Sequence, residues 1–255
     1  MISVLAPGQG AQSPGMLAPW LELDGVPEQV AGFSELSGLD LARLGTTADA
    51  DEIRDSAITQ PLIVAMGLIT AGQLGLGRMS EDRQRAGTGA IGSQLVLAGH
   101  SVGEVTAAAV AGVLTPADAI SFATRRGSEM AAACAATPTS MVAVVGGDQD
   151  EVLAAVLSAG LTPANRNGAG QIVAAGSLEA IAALTENPPP GSRVRPLQVA
   201  GAFHTSYMSP AEQSLRTVAA QLTPADPTLT LLSNADGAVV GDGPTVLDRL
   251  VGQVT

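Results

Sequence analysis

A chain of 255 residues with 46% hydrophobic content can bury one large core or two small ones. Aromatic residues make up only 2%, so that core must be built mainly from Ala, Val, Leu and Ile. All twelve basic residues are arginine and the formal net charge is −12, which argues against nucleic-acid binding through a general basic surface. The single cysteine, Cys134, excludes an intrachain disulfide and suits a reducing compartment.

The opening residues MISVLAPGQG carry no basic n-region and reach Pro7 and Gly8 quickly, so they do not read as a signal peptide. Ile2 to Ala6 reads as a short buried strand, broken by Pro7-Gly8-Gln9-Gly10. The uncharged run Gln60 to Gly77 contains Pro61, Gln73 and four glycines. It falls short of the roughly 20 apolar residues of a membrane span and reads as a buried helix. A soluble, cytoplasmic protein is therefore expected. No metal site and no permanently bound cofactor are expected either. Ser80 to Ser93 is polar and Gly-rich, as in a surface loop, and Gln94 to Ala98 is the next buried strand. A sharp turn, Gly99 to Gly103, leads into the helical composition of Glu104 to Val113. Pro116 and Asp118 open a helix that runs through Arg125 and Arg126 to about Ala136.

Beyond Thr137-Pro138 the pattern changes. Strands at Met141 to Val145, Leu161 to Arg166, Gln171 to Ala175 and Arg193 to Val199 alternate with helices at Asp150 to Ala159 and Ser177 to Leu184, the second with a serine cap. That order, β-α-β-β-α-β, is the ferredoxin-like arrangement. The predicted domains are residues 138–199 for this inserted unit and residues 1–137 with 200–255 for the α/β remainder. The remainder continues with a helix at Pro210 to Leu222, a strand at Leu229 to Ser233 and a helix at Val246 to Gln253.

Gly99-His100-Ser101-Val102-Gly103 is a G-x-S-x-G run. With 30 Gly and 18 Ser in the chain, chance alone yields roughly a quarter of such a match, so the surroundings decide. A buried strand before the turn and a helix after it are what a nucleophile elbow requires, with the Ser101 hydroxyl at its apex. The alternative is an ordinary Gly-Ser turn. Of the two histidines, His100 adjoins Ser101 on a sharp turn where neighbouring side chains diverge, so His204 has no competitor as the base. An orienting acid is open: Asp118, Glu129 and others between Ser101 and His204 all fall on helices or their edges, and a backbone carbonyl could serve instead. The N–H of Val102 and one from the Pro7 to Gly10 loop are candidate oxyanion donors. If Arg125 or Arg126 turned inward, its fork could clamp a carboxylate; spacing does not say which.

Five collinear motifs carry a resemblance. APGQGAQ, GHSVGE, TRRGSEM, NRNGAGQIVAAG and GAFH resemble those of the malonyl-CoA:acyl carrier protein transacylases and the acyltransferase domains of polyketide synthases, over residue 2 to the chain end. The resemblance implies an α/β fold, with an α/β-hydrolase-like large subdomain and an inserted ferredoxin-like small one. It implies ping-pong transfer of malonyl from malonyl-CoA, through Ser101, to the phosphopantetheine thiol of acyl carrier protein. His204 is then base and acid. The amides of Gln9 and Val102 form the oxyanion hole, and Arg126 binds the malonyl carboxylate while Arg125 stays at the surface. Asn167 and Gln171 line the site, and a backbone carbonyl matching Gln253 orients the histidine. Val102 and Phe203 match the residues that accompany malonyl rather than methylmalonyl. No membrane partner and a monomer are implied.

Coenzyme A and carrier proteins are acidic, so a local basic patch is expected; Arg125, Arg166, Arg193 and Arg195 are its candidates. Two other functions use the same residues. A serine hydrolase or thioesterase would share the elbow with water as acceptor, but needs no inward Arg126. Family members run tens of residues past the position of Thr255, and a chain ending there could be an inactive carrier-protein-binding module.

Overall fold

The computed structural model describes residues 2–76, 95–168, 170–197 and 199–255. The predicted loop Ser80 to Ser93 lies outside the described residues, as do Gln94 and Gln198 of two predicted strands. Contacts divide the chain into one unit of Met1–Ser128 with Ser214–Gln253 and another of Glu129–Gln213 with Val254–Thr255.

In the first unit, strands β1 (Ile2–Ala6), β2 (Leu95–Gly99) and β7 (Thr230–Leu231) form a parallel sheet in the order β1-β2-β7. The helices of this unit begin with α1 (Val26–Ser37), α2 (Leu41–Thr46) and α3 (Ser56–Gln73). Asp55 caps α3 by accepting the Ala57 N–H at 2.9 Å, so the helix starts four residues before the predicted Gln60, and Pro61 falls in its second turn. Its residues Leu62 to Ala65, Leu68 and Ile69 are all buried. After β2 comes α4 (Gly103–Val110), every residue of which is buried, which is why it is so rich in alanine and valine. The helix α5 (Pro116–Ala136) follows, with the unit boundary inside it.

β1 spans the predicted residues but is not buried as expected. It is an edge strand paired only with β2 among the described residues, and Leu5 is 75% exposed. An apolar run specifies a strand, whereas its place in the sheet depends on pairing elsewhere in the chain. Leu5 borders an apolar cavity of about 350 Å³ lined also by Ile63, Met66, Leu74 and Val110.

The second unit holds β3 (Thr139–Gly146), α6 (Gln149–Ser158), β4 (Thr162–Asn167), β5 (Gln171–Ser177), α7 (Leu178–Glu186) and β6 (Ser192–Pro196). The sheet is antiparallel in the order β4-β5-β3-β6. Val142, Val144, Ile172 and Ala174 of its strands pack with Val152, Val156, Ile181 and Leu184 of its two helices. The predicted serine cap is present: Ser177 Oγ accepts the Ala180 N–H at 3.2 Å. The unit extends past the expected 138–199. Ala202 N–H donates to Thr139 Oγ1 at 2.9 Å, and Gly201 sits so close to Cys134 that a Cβ would lie 2.4 Å from its Sγ. These contacts tie the segment after β6 to β3 and α5. The helices α8 (Ser209–Ala219) and α9 (Gly243–Gly252) complete the fold, the second unit boundary lying within α8.

Where β2 turns into α4, backbones approach to van der Waals contact. A Cβ on Gly103 would lie 2.2 Å from Ala6 O and 2.5 Å from Pro7 O, both backbone atoms that cannot rotate away. Gly103→Ala should therefore destabilise the protein by about 3 kcal/mol in urea titrations. A loss below about 0.5 kcal/mol would show that the β1 loop yields freely.

Candidate active site

Ser101 stands at the C-terminal end of the central strand of the parallel sheet, between β2 and α4. In open α/β sheets this end of the strands is where ligands bind. The turn is closed by His100 N–H donating to Ala6 O at 3.0 Å and Gly103 N–H donating to His100 O at 2.9 Å. Ser101 itself has φ 52, in the left-handed region. Such a conformation costs a non-glycine residue roughly 1–3 kcal/mol and persists only where its surroundings enforce it. One such restraint is Asn234, whose Oδ1 accepts the Ser101 N–H at 3.3 Å. On the other side, Gly8 packs against His100, where a Cβ would meet Nδ1 at 2.7 Å. The Pro7 to Gly10 loop therefore abuts the elbow. Gln9 within it accepts from Ser56 Oγ at 3.2 Å and donates to Arg54 O at 3.3 Å. Val102 is fully buried.

The two adjacent arginines have opposite environments. Arg125 is exposed and donates through Nε and Nη2 to Ser214 Oγ at 3.3 and 3.1 Å. Arg126 is 1% exposed. Its Nη1 donates to Gln60 Oε1 at 2.6 Å, and its Nη2 donates to Gln253 Oε1 at 2.9 Å and Ser101 Oγ at 3.3 Å. Nε is buried without a partner among the described residues. Gly127 makes this placement possible: a Cβ there would lie 2.3 Å from Ser56 O, so α5 can lie directly on the start of α3, which carries Gln60.

Among the described residues, the Arg126 guanidinium donates to neutral oxygens alone. The acid Glu104 is one amide away: Gln253 Nε2 donates to Glu104 Oε2, and Asn234 N–H donates to Glu104 Oε1 at 2.8 Å. Burial pulls the Arg126 pKa down to about 10, partly offset by the Glu104 charge, so the guanidinium stays cationic at neutral pH. Burial pushes the Glu104 carboxyl up, while hydrogen bonds from Asn234, Gln253 and Ser233 and the charge of Arg126 pull it back. The result is a fixed, desolvated cation next to a serine hydroxyl, with no carboxylate in direct contact among the described residues.

In the second unit, His204 is half-buried with φ 58, and its backbone N–H donates to Val254 O at 3.1 Å. Among the described residues, Ser101 and His204 are the two non-glycine residues with positive φ. Phe203 is buried, and Thr205 Oγ1 donates to Ala202 O at 2.7 Å, tightening the Gly201 to Thr205 segment. Asn167 and Gln171 are register partners across β4 and β5, Nδ2 of the first donating to Oε1 of the second at 2.7 Å. The strand register divides the expected basic patch. Arg193 and Arg195 pair with Val145 and Ala143, which puts them on the sheet face shared with Gln171 and Asn167. Arg166 pairs with Ile172, whose neighbours Val144 and Val194 lie on the helix-covered face.

Residues 5–238 match the acyl transferase domain family. The chain belongs to this family. A malonyl CoA-acyl carrier protein transacylase of Mycobacterium tuberculosis is 51% identical to this acyltransferase over all of the chain and 81% of the relative. One from Escherichia coli is 32% identical over 97% of the chain and 79% of the relative. Among solved structures, the crystal structure of the Mycobacterium tuberculosis enzyme superposes with a TM-score of 0.91 at 51% identity, covering 99% of this chain and 80% of that one. An acyl carrier protein S-malonyltransferase from Vibrio cholerae superposes with a TM-score of 0.83 at 29% identity, covering 99% and 81%. The acyltransferase thus has the mixed α/β fold of these enzymes, and no described helix is long and apolar enough to cross a membrane.

Gln60, Glu104 and Asn234 were not singled out as site residues from the sequence. Gln60 is a polar residue at the head of an apolar run, and Glu104 is the lone charge in an Ala-rich helix; both are signals of a buried polar contact. Asn234 carries no such mark. If Gln60 holds Arg126, Gln60→Leu removes a short charge-assisted hydrogen bond from a buried cation. Stability in urea should fall by about 2 kcal/mol. An unchanged midpoint would show that Arg126 is held without it.

Proposed function

We propose that this acyltransferase moves malonyl from malonyl-CoA to the phosphopantetheine thiol of acyl carrier protein through a malonyl-Ser101 ester. The buried Arg126 carries the reading: its guanidinium lies 3.3 Å from Ser101 Oγ and, among the described residues, donates only to neutral oxygens. A desolvated cation of this kind binds an anionic acyl group strongly, and an esterase needs no such group beside its nucleophile. Fifty-one per cent identity to a relative named as a malonyl CoA-acyl carrier protein transacylase supports the same substrates.

Ser101 Oγ attacks the thioester carbonyl while His204 takes its proton. The amides of Gln9 and Val102 receive the oxyanion; the C–S bond then breaks and His204 returns the proton to the coenzyme A sulfur. The carrier thiol reverses the sequence, giving its proton to His204 and taking malonyl from Ser101. A backbone carbonyl at Gln253 orients the His204 ring. Asn167 and Gln171 are polar contacts for the bound acyl group, and Phe203 takes the space an α-methyl would need. One methyl separates substrates by only about 1–3 kcal/mol, so some methylmalonyl would leak through.

The same reading makes the first unit an α/β-hydrolase-like subdomain and the β4-β5-β3-β6 unit a ferredoxin-like one, with core boundaries at 138 and 199. It makes the protein a cytoplasmic monomer that needs no cofactor. Within a chain of net charge −12, Arg193 and Arg195 on one sheet face are the basic contact for the acidic carrier.

Mass spectrometry after incubation with malonyl-CoA should find malonyl on Ser101, and none on Ser101→Ala. Addition of carrier protein should then clear the label, with a raised carrier KM when Arg193 and Arg195 are replaced by Glu. No adduct, or an equal one on Ser101→Ala, contradicts the mechanism; an unchanged carrier KM contradicts the docking face alone.

A further inference from the structure

Glu104 takes no part in the transfer just described, yet it is the only buried carboxylate among the described residues, 4% exposed in the first turn of α4. Its two oxygens point along two routes. Oε2 accepts from Gln253 Nε2, and Gln253 Oε1 in turn accepts from Arg126 Nη2 at 2.9 Å. Oε1 accepts the backbone N–H of Asn234 at 2.8 Å, and Asn234 Oδ1 accepts the Ser101 N–H at 3.3 Å. We infer that Glu104 is a positioning residue that holds Arg126 through the Gln253 side chain and the Ser101 turn through Asn234. The inference rests on the reading of Ser101 as nucleophile and Arg126 as carboxylate clamp.

The argument is one of hydrogen-bond polarity. An ionised carboxylate only accepts and a guanidinium only donates. The Gln253 amide lies between them, so its NH2 must face Glu104 and its oxygen must face Arg126. Carboxylate and guanidinium thus fix the Gln253 amide from its two ends, and an ionised carboxylate at 104 admits no reversal. With a carboxamide at 104, that group can donate to Gln253 Oε1, and the Gln253 NH2 can then turn toward Arg126, donor against donor. The guanidinium would have to withdraw from that contact and from Ser101.

The second route restrains the nucleophile. Ser101 sits at φ 52, and the Asn234 that holds its N–H is itself fixed by Glu104 through the backbone rather than the side chain. The charge also matters at longer range. Glu104 is the anion whose field supports the Arg126 cation against burial, without occupying the face toward Ser101. A carboxylate in direct contact would compete with an incoming acyl carboxylate; one placed behind an amide does not.

The test compares full-length Glu104→Gln, Gln253→Met, Asn234→Ala and Arg126→Ala with the parent. It uses steady-state kinetics on malonyl-CoA, the ratio of malonyl to acetyl loaded on Ser101, and melting temperature as a check of folding. Glu104→Gln should raise the malonyl-CoA KM about tenfold, the effect of one charge-assisted hydrogen bond. It should also narrow the malonyl-to-acetyl ratio and lower kcat. Gln253→Met, which keeps the backbone carbonyl, should reproduce the KM and selectivity change, and Asn234→Ala the kcat change. A folded Glu104→Gln with parental KM, kcat and selectivity overturns the inference. So does a defect in Glu104→Gln that neither Gln253→Met nor Asn234→Ala shares. If Glu104→Gln does not fold, parental kinetics in the other two variants overturn it equally. Arg126→Ala separates the two levels. If it loses malonyl preference while Glu104→Gln keeps it, only the positioning role fails; if it keeps that preference, the clamp itself is wrong.

Discussion

A guanidinium sealed from solvent imposes conditions on everything around it. Removing one unit charge from water costs several kcal/mol unless neighbouring groups replace the lost hydration. For Arg126 that replacement comes from Gln60 on α3, Gln253 at the end of α9 and Ser101 on the elbow, three elements brought together from distant parts of the chain. Gly127 next to it allows α5 to lie against α3 closely enough for the Gln60 contact. All three partners are neutral, so the positive charge is solvated but not cancelled. That distinction separates a structural ion pair from an anion site.

The same economy of placement governs the elbow. Left-handed backbone at Ser101 is strained, and the structure concentrates restraint there: the Ala6 carbonyl on His100 N–H, the Asn234 side chain on Ser101 N–H, and glycines at 8 and 103 where backbones touch. His204 has the same unusual backbone, tied by its N–H to Val254. Strain at these two residues and at no other non-glycine among the described ones is consistent with their proposed roles, since local strain collects where geometry serves chemistry rather than packing.

Much of this was legible in the sequence, for identifiable reasons. Strand and helix positions followed from apolar runs bounded by Pro and Gly, so the six elements of the second unit and the strand–turn–helix around Ser101 stand close to their predicted limits. Caps made some boundaries sharp, as at Ser177; an unrecognised one, Asp55, moved the start of α3. Tertiary choices were not readable. The apolar Ile2 to Ala6 became an exposed edge because edge position is settled by pairing with β2. Arg125 and Arg126 are equivalent in local sequence, and only helix rotation against Gln60 distinguishes them, although resemblance to a family had pointed to Arg126. Alternation along β6 places Arg193 and Arg195 together, while pairing with β5 sends Arg166 to the opposite face. Glu104 and Asn234 escaped notice because their partners lie more than a hundred residues away.

The claim that rests most heavily on these observations is that Arg126 meets the acyl group carried by Ser101. A crystal structure of the protein after reaction with malonyl-CoA tests it directly. The account predicts an ester on Ser101 Oγ whose free carboxylate lies within hydrogen-bond distance of the Arg126 guanidinium, with Gln60 and Gln253 still in place. An ester whose carboxylate points to solvent, away from an undisturbed Arg126, would contradict it.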